Sequence, residues 1–497
     1  MQSFYENKNV FITGGSGLLG RVLIENLLRK TEVKCIYMLI RAKQGRTADE
    51  RIKQILVGPL FAKLSQLKPS AFTLITPVHG DCAQPQLGIS PEDRKMLTEN
   101  VDVVIHCAAT VRFNEPLYNA LVVNLGATRD LLKMAKDMPQ LKAFIHISTA
   151  FANCVLPHIE EKFYPQLLGI DASKILDLAE LLGPELTNDL STKLVRKFPN
   201  TYTFTKSLTE ELIRKEANTL PICILRPGII TPTYAEPIRG WIDNSFGVMG
   251  TLMALALGSL RVLSLHSNNV ALVVPVDFCA NLILACGYKV GQLENAEKEK
   301  AEPTIYNFVP SASNSITLGA LTDSAIHYGK ERPLSNTNWY PFFIKVKLLE
   351  LETFLGFFLH IIPAYIQDIW RLIQGEKARM FHRNQKQQQF LNALHHFKTT
   401  VWTYNVANTQ NLGISLSATD QMNFNFNVDA IIWKRYCRDI IFGMRRYLAK
   451  EGDETIPEAT KRLKMLKLAH QSIFVLMFTC LSLFVVILVR LLIDKVF

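Results

Sequence analysis

Residues 9–20 read NVFITGGSGLLG, and this stretch decides the fold. Residues 9–13 predict a short buried strand, and residues 18–29 have the apolar spacing of an amphipathic helix. The glycines between them fit both GxGxxG and GxxGxxG, and such a turn lets a pyrophosphate approach the helix N-terminus. The stretch therefore predicts a dinucleotide site rather than an ordinary tight turn. Its candidate cofactor contacts are Thr13, Gly14, Ser16, Gly17, Leu18 and Gly20.

The composition narrows the classes of partner. The chain has 497 residues, of which 48% are hydrophobic, and this length is enough for two or three well-buried domains. Its net charge is +11, but the basic residues are spread along the chain without a basic–aromatic motif. This pattern argues against nucleic acid and favours an anionic membrane surface or a phosphate-bearing ligand. The nine cysteines form no CxxC pair and no metal-ligand spacing, which indicates a reduced, cytosol-facing compartment and no metal site.

Five further apolar runs predict strands of the same sheet. They lie at residues 35–40, 72–78, 101–106, 143–147 and 222–225. The segments between them are long enough for helices, so the alternation predicts an α/β fold with a doubly wound parallel sheet. Ligands bind such a sheet at the carboxyl ends of its strands. The residues that fall there are Gly14, Arg41, Asp81, Ala109 and Thr149.

The residue after the second predicted strand bears on the choice of cofactor. An acid there would bond the ribose 2′-hydroxyl of NAD, but this chain has Arg41, a cation that accepts a 2′-phosphate. Arg41 therefore favours NADPH over the alternative, a solvated basic loop. Asp81, after the third strand, is a candidate contact to the adenine amino group, or else a turn-former. Ala108 and Ala109, after the fourth strand, are small enough to let a cofactor lie close.

Tyr202 and Lys206 open a predicted helix, and their spacing places them on one face of it. A lysine cation ~4 Å from the tyrosine hydroxyl, at an effective dielectric of ~20, contributes roughly 4 kcal/mol. We therefore expect Lys206 to lower the pKa of Tyr202 by as much as ~3, into the range useful for acid–base catalysis. Ser148 or Thr149, after the fifth strand, supplies a hydroxyl that holds a carbonyl oxygen beside the tyrosine.

Several stretches together resemble the fatty acyl-CoA reductases, which are extended short-chain dehydrogenases/reductases. These are TGGSGLLG at 13–20, RAKQG at 41–45, STAFANC at 148–154, NTYTFTKSLTE at 200–210 and SATDQMNFNFNVDAIIWKRY at 417–436. The last stretch is similar to the small C-terminal domain of that family, the male-sterility-type domain. One mild departure is Leu18, which stands where the family usually has Phe.

The resemblance implies roles for the candidate residues and a reaction. Tyr202 is expected to donate a proton, and Lys206 to tune it and to bond the nicotinamide ribose. Thr149, rather than Ser148, is expected to hold the carbonyl oxygen. The implied reaction reduces a long-chain fatty acyl-CoA with NADPH to a primary alcohol through an aldehyde, releasing CoA. Two alternatives stay open, namely a membrane-bound single-hydride enzyme such as a hydroxysteroid dehydrogenase, and a catalytically silent membrane scaffold.

The C-terminal part contains two very apolar stretches. Residues 339–370 carry scattered charges and predict amphipathic helices broken at Pro363, either in a domain core, along an acyl tunnel or on a membrane surface. Residues 473–489 contain no charge, and with residues 490–493 they extend roughly 31 Å as a helix, the thickness of a bilayer's hydrocarbon core. The basic residues before this stretch are Lys461, Arg462, Lys464 and Lys467. We therefore expect a C-terminal transmembrane anchor in the endoplasmic reticulum or peroxisome membrane, with the catalytic part in the cytosol.

These features predict three regions. Residues 1–335 form a Rossmann reductase domain with a substrate subdomain, residues 336–460 a helical C-terminal domain, and residues 461–497 the basic flank and the anchor. A charged stretch at residues 291–303 predicts a linker. The first strand begins at residue 9, so we expect no signal peptide. The preferred acyl chain length and the oligomeric state stay open.

Overall fold

A parallel sheet of seven strands dominates the computed structural model, which describes residues 1–43, 45–293 and 302–496. The strands are β1 (Asn9–Thr13), β2 (Cys35–Ile40), β3 (Ile75–His79), β4 (Val103–His106), β5 (Ala143–Ile147), β6 (Ile222–Pro227) and β7 (Thr304–Phe308). Their order is β7-β6-β5-β4-β1-β2-β3, and each neighbouring pair is parallel. The winding reverses between β1 and β4, and such a reversal point is where open α/β sheets bind ligands.

Helices cover both faces of the sheet. They are α1 (Leu18–Lys30), α2 (Leu117–Ala120, Leu121–Gly126 and Ala127–Lys136 in one run), α3 (Thr201–Glu216) and α4 (Val276–Gly291). Phe144 of β5 shares one buried cluster with Leu131 of α2 and Leu208 of α3. The next residue, Ile145, points the other way, toward Gly287 of α4. The strands are apolar along most of their length because both faces are buried, and the predicted doubly wound α/β fold is confirmed.

The chain forms two compact units, each assembled from segments distant in sequence. Unit 1 comprises Met1–Ile242, Asn269–Ile316 and Leu391–Tyr436, and unit 2 comprises Asp243–Asn268, Thr317–Phe390 and Cys437–Phe497. The domain boundaries predicted at residues 335 and 460 stay predictions. The linker predicted at residues 291–303 lies mostly outside the described residues.

Unit 1 adds short elements to the sheet and its four helices. Its other helices, among the residues that the structure describes, are Gln2–Tyr5, Ala48–Leu56, Pro59–Phe61, Ala62–Leu67, Pro69–Leu74, Pro85–Gly88, Pro91–Asn100, Pro165–Leu167, Ala172–Asp189, Ser191–Val195, His395–Thr399, Ala407–Ser415, Ala418–Asn423 and Val428–Ala430. Two parallel ladders pair Val273–Pro275 with Ile229–Thr231 and Thr403–Tyr404 with His158–Ile159. The second ladder ties the late segment of unit 1 to the residues that follow β5.

Unit 2 is mostly helical. Its helices include Val248–Ala256, Leu318–Glu331, α5 (Leu349–Ile373), Met444–Leu448, Asp453–Thr455 and α7 (Ile456–Val496). Two further helices are divided between the units: α6 (Met380–Ala393) begins in unit 2 and ends in unit 1, and Trp433–Gly443 begins in unit 1 and ends in unit 2. A parallel ladder joins Val262–Ser264 to Ile344–Val346.

The predicted break at Pro363 is wrong, because α5 continues through it. A proline has no N–H and leaves the carbonyl four residues earlier without its helical donor. Here a π-helical turn, Phe357–Ile361, precedes the proline, and the Leu359 carbonyl accepts from Arg261 Nη1 at 2.6 Å instead. The helix therefore continues through Pro363, because Arg261, on another segment of unit 2, supplies the donor that the proline lacks.

Two helices in the described residues are long and apolar enough to cross a membrane, judged by length and composition alone. One is Leu349–Ile373, and the other runs within Asp453–Ile487. The second includes most of the stretch predicted as an anchor. In both helices most side chains are exposed in the protein.

Candidate active site

The glycine turn after β1 packs too tightly for side chains. Gly14 has a φ of +74°, and a Cβ there would lie 2.6 Å from the backbone nitrogen of Ala108. A Cβ on Gly20 would lie 2.4 Å from the Gly14 carbonyl oxygen. Gly17 is the N-cap of α1 and has no side chain with which to satisfy the first-turn N–H groups. The turn therefore forms a cradle of helix N–H groups that fits a pyrophosphate.

The other predicted contacts of this region surround the cradle. Leu18 is the first residue of α1, and Ala109 is half-buried just after β4. Ser16 is half-buried, and its carbonyl accepts from Arg21 Nε at 2.9 Å. The structure thus gathers at one place the predicted residues from the ends of β1 and β4.

A buried pair of histidines lies under the cradle, and sequence reasoning missed it. Thr13 Oγ1 lies 2.6 Å from His106 Nδ1 and accepts the Ala108 N–H at 3.3 Å, while His106 Nε2 lies 3.0 Å from Thr128 Oγ1. The His146 ring lies 5.3 Å from the His106 ring. Burial, and next the Lys206 charge, lower the pKa of His106 to about 3 and the pKa of His146 well below its usual value. Both rings are therefore neutral at physiological pH.

Three arginines gather beside the end of β2. Arg41 Nη1 pairs with Asp81 Oδ2 at 3.0 Å, and its backbone carbonyl accepts from the Arg51 guanidinium. Burial lowers the pKa of Arg51, and the charges of Arg41 and Arg21 lower it further. Sequence reasoning missed Arg21 and Arg51 because they lie on other elements than Arg41. The cluster has more positive than negative charge, which suits a phosphate-bearing ligand.

β5 and α3 bring the predicted catalytic residues together. The Asn200 side chain caps the first turn of α3 and so fixes the position of Tyr202. The Thr149 hydroxyl, just after β5, lies close enough to the Tyr202 phenol to lower its pKa. Lys206, one turn further along α3, is buried and donates from Nζ to the Ile147 carbonyl at 2.7 Å. Hydroxyl, phenol and ammonium thus lie at the carboxyl end of one strand.

The predicted lowering of the Tyr202 pKa is wrong in this structure. Burial raises the pKa of Tyr202 to about 12, and the hydrogen bond from Thr149 lowers it only in part. Lys206 does not lower it, since its ammonium is directed to the Ile147 carbonyl. Burial also lowers the pKa of Lys206 to about 8, against the opposing effects of Cys107 and Glu210. The prediction from the spacing of Tyr202 and Lys206 failed because it considered only their Coulomb interaction and left out the desolvation of the buried phenol.

Ser148 belongs to a buried ionic network instead of the catalytic pair. Its hydroxyl donates to Glu210 Oε1 at 2.6 Å, and Glu210 pairs with Arg226 at 2.6 and 2.9 Å. Asn153 Nδ2 also donates to Glu210, at 3.2 Å. Glu210 lies one turn beyond Lys206, and Arg226 is in β6. The network joins β5, β6 and α3, and sequence reasoning gave no role to its members other than Ser148.

A π-helical turn in α2 supplies a further polar contact to α3. Asn124 lies in this turn, Leu121–Gly126, and such turns are frequent at functional sites. Its Oδ1 accepts from the Thr110 N–H at 2.9 Å, and its Nδ2 donates to Thr205 Oγ1 at 3.0 Å. Asn124 thus ties the strand-end loop after β4 to the helix that carries Tyr202.

An aromatic cluster, which we define as Phe113, Phe151, Phe397 and Trp402, lies beside Tyr202. Phe113 stacks on Tyr202 with 6.0 Å between ring centroids and on Phe397 with 5.1 Å. Phe151 packs against Phe397 at 5.2 Å and against Trp402 at 5.6 Å. Sequence reasoning missed this cluster because its members are separated by up to hundreds of residues. The surroundings of Tyr202 are therefore apolar on this side.

Two family models, both described as male sterility protein, match residues 12–283 and 359–451, and the first is an NAD-binding model. The chain is 39% identical to "Fatty acyl-CoA reductase wat" of Drosophila melanogaster, over 95% of this chain and 90% of that protein. It is 36% identical to "Fatty acyl-CoA reductase 2" of Homo sapiens, over 94% of this chain and 90% of that protein. The terminal R domain of the myxalamid PKS-NRPS pathway shares the fold, with a TM-score of 0.59 at 18% identity over 88% of this chain and 90% of that one. The first model supports a nicotinamide cofactor, and the extent of these matches shows that the chain belongs to the fatty acyl-CoA reductase family of oxidoreductases.

Proposed function

We propose that this protein uses NADPH to reduce a long-chain fatty acyl-CoA to a primary alcohol through an aldehyde. The observation that carries the proposal is the meeting of Thr149, Tyr202 and Lys206 at the end of β5, with an aromatic cluster beside Tyr202. Two neighbouring hydroxyl groups can hydrogen-bond to a carbonyl oxygen, and the aromatic cluster offers an apolar surface against which an acyl chain can pack. The names of the relatives support the same substrate class.

The reaction balances with two hydrides and two protons. NADPH, when bound, supplies a hydride at each of two steps. In the first step the thioester carbonyl becomes a hemithioacetal, which breaks its C–S bond to give an aldehyde and free CoA. In the second step the aldehyde carbonyl takes a hydride at carbon and a proton at oxygen to give the alcohol. The total consumed is one acyl-CoA, two NADPH and two protons.

Tyr202 serves as the proton donor to the carbonyl oxygen. The phenol is protonated at physiological pH and can donate, although its raised pKa makes it a weaker acid than a free tyrosine. Thr149 holds the same oxygen, whereas the Ser148 hydroxyl is committed to Glu210. Lys206, one turn beyond Tyr202 on α3, would bond the nicotinamide ribose. The neutral His106 and His146 add no positive charge beside it.

The arginine cluster supports NADPH rather than NADH. The charges of Arg41 and Arg21 both repel that of Arg51, and Asp81 pairs with Arg41. A 2′-phosphate placed among them would relieve this repulsion and would form charge-assisted hydrogen bonds with Arg41. Asp81 would then be left to contact the adenine amino group. The cradle of Gly14, Gly17 and Gly20 would hold the pyrophosphate.

We also propose that α7 anchors the protein in the membrane with its catalytic part in the cytosol. Its apolar segment follows the four basic residues at 461–467, which suits the cytosolic side. The endoplasmic reticulum and the peroxisome both offer such a membrane. The three predicted regions, 1–335, 336–460 and 461–497, describe this arrangement in sequence terms.

A product analysis tests the proposed function. The purified full-length protein would be incubated with NADPH and a panel of acyl-CoAs, and the products would be identified by mass spectrometry. We expect a fatty alcohol and free CoA, with two NADPH consumed per CoA released. An enzyme that reduces ketosteroids but releases no CoA would instead support a single-hydride dehydrogenase. Binding of NADPH without turnover of any acyl-CoA would support a silent scaffold.

A further inference from the structure

Helix α5 has its polar and apolar faces reversed relative to an ordinary helix of a soluble protein. Its buried residues are Glu352, His360, Ala364 and Asp368, all spaced by multiples of four. The apolar side chains point outward, and those of Phe358, Ile366 and Trp370 are 50%, 61% and 61% exposed. A helix on the surface of a soluble protein buries its apolar stripe and exposes its polar one. The exposed face of α5 therefore requires an apolar cover.

The polar face of α5 is bonded to the rest of unit 2. Glu352 Oε2 accepts from the Ser264 N–H at 2.8 Å, and His360 Nε2 accepts from the Arg261 N–H at 2.9 Å. Asp368 accepts from three consecutive backbone N–H groups at the start of α6, each at 2.8 Å. These buried bonds hold the whole length of one helix face against protein. A helix held in this way cannot be surrounded by lipid along its length.

The charges around the exposed face indicate what covers it. The exposed basic residues that follow α5 are Lys377, Arg379, Arg383 and Lys386, against the single acid Glu376 in the same segment. Tryptophan and tyrosine favour the boundary between lipid tails and headgroups, and both Tyr365 and Trp370 are exposed here. Apolar residues bordered by cations suit an anionic bilayer surface better than a protein surface.

A cleft of about 1010 Å³ adjoins the last turns of α5. Its lining includes Ile366, Trp370 and Ile373 together with Arg371, Arg383 and Arg462. Arg462 belongs to α7, so the two long apolar helices of unit 2 border the same cleft. The last turns of α5 therefore lie beside the basic flank of the proposed anchor, about three helical turns before its apolar segment begins.

We propose that α5 is an in-plane membrane-docking helix, whose apolar outer face lies in the headgroup region of an anionic bilayer while its polar inner face holds unit 2. This is a second membrane contact, distinct from the anchor α7. It does not span the bilayer, because one side of the helix is bonded to protein throughout. The inference is independent of the reaction proposed above.

Tryptophan fluorescence of the full-length protein tests the proposal. Trp370 is the exposed member of the five tryptophans, and α7 contains none. The protein would be reconstituted in phosphatidylcholine vesicles, with and without phosphatidylserine, whose tails carry bromine either near the headgroups or near the bilayer centre. We expect the shallow bromines to quench more strongly than the deep ones, and Trp370→Phe to remove that quenching. The matched control Trp402→Phe, at a buried position, should leave the quenching unchanged.

A second probe distinguishes docking from spanning. Phe358→Trp in the Trp370→Phe background places a tryptophan near the middle of α5, at an exposed position where the larger ring fits. An in-plane helix predicts shallow quenching at residue 358 as at residue 370. Stronger quenching by deep bromines at residue 358 would show a spanning helix and would overturn the proposal. Absence of quenching at both positions would also overturn it and would indicate a protein partner. Shallow quenching that does not increase with phosphatidylserine would overturn the preference for an anionic surface.

Discussion

The proposed reaction depends on the proton that the Tyr202 hydroxyl donates. Tyr202→Phe keeps the ring that stacks on Phe113 but removes the hydroxyl that donates. We expect NADPH binding to change little and turnover to fall by ~100 to 10,000-fold, the usual contribution of a general acid. Steady-state rates and a fluorescence titration with NADPH would measure the two effects separately. Turnover within a few-fold of the parent protein would show that another group supplies the proton.

Arg41 tests the assignment of the 2′-phosphate. Arg41→Ala removes a charge-assisted hydrogen bond worth roughly 1.5–3 kcal/mol, so we expect NADPH affinity to fall about 10 to 150-fold while NADH affinity changes little. Lys43→Ala, nearby in the same basic stretch, is the matched control. Dissociation constants for both cofactors would be compared. An equal loss of affinity for NADPH and NADH would mean that Arg41 does not bind the 2′-phosphate.

Among the secondary-structure elements, the buried strands were predicted most accurately from the sequence. β2 and β5 have the bounds predicted from their apolar runs, because a strand buried on both faces is apolar along most of its length. β3 begins at Ile75 rather than at residue 72, since a 3₁₀ helix that opens with Pro69 occupies the preceding residues. The aromatic cluster and the arginine cluster could not be predicted, because they depend on contacts between distant segments. The Tyr202 pKa was missed because desolvation depends on the packing around the site, which spacing does not show.

The ionic network that joins β5, β6 and α3 carries a stability prediction. Glu210→Gln leaves the fully buried Arg226 guanidinium without its carboxylate, and removal of one partner of a buried pair costs about 3–5 kcal/mol in the free energy of unfolding. Glu185→Gln, at an exposed position, should change it by less than about 0.5 kcal/mol. Chemical denaturation followed by circular dichroism would compare the two. Equal stability of the two variants would contradict the structural role of the pair.

In the whole protein, the residues proposed for catalysis and the segment proposed as the membrane anchor lie in different parts of the chain. A protein that lacks residues 473–497 keeps the glycine turn, Thr149, Tyr202 and Lys206, so we expect it to reduce detergent-solubilised acyl-CoA. It should leave membranes in high salt but retain partial, salt-sensitive binding through α5 and its basic neighbours. Fractionation at low and high salt would measure this. A truncated protein that stays membrane-bound in high salt would contradict a single spanning anchor, and a soluble, folded but inactive one would place α7 in the acyl site.

Tracing the hydride from NADPH into the product tests the proposed four-electron reduction. The full-length protein would be given acyl-CoA and NADPH that carries deuterium at the transferred position, and the product would be analysed by mass spectrometry. We expect a primary alcohol with two deuterium atoms on its first carbon, released with one equivalent of free CoA. The same incubation with Tyr202→Phe should yield almost none. An alcohol or aldehyde with a single deuterium as the end product, or no release of CoA, would contradict the proposed four-electron reduction.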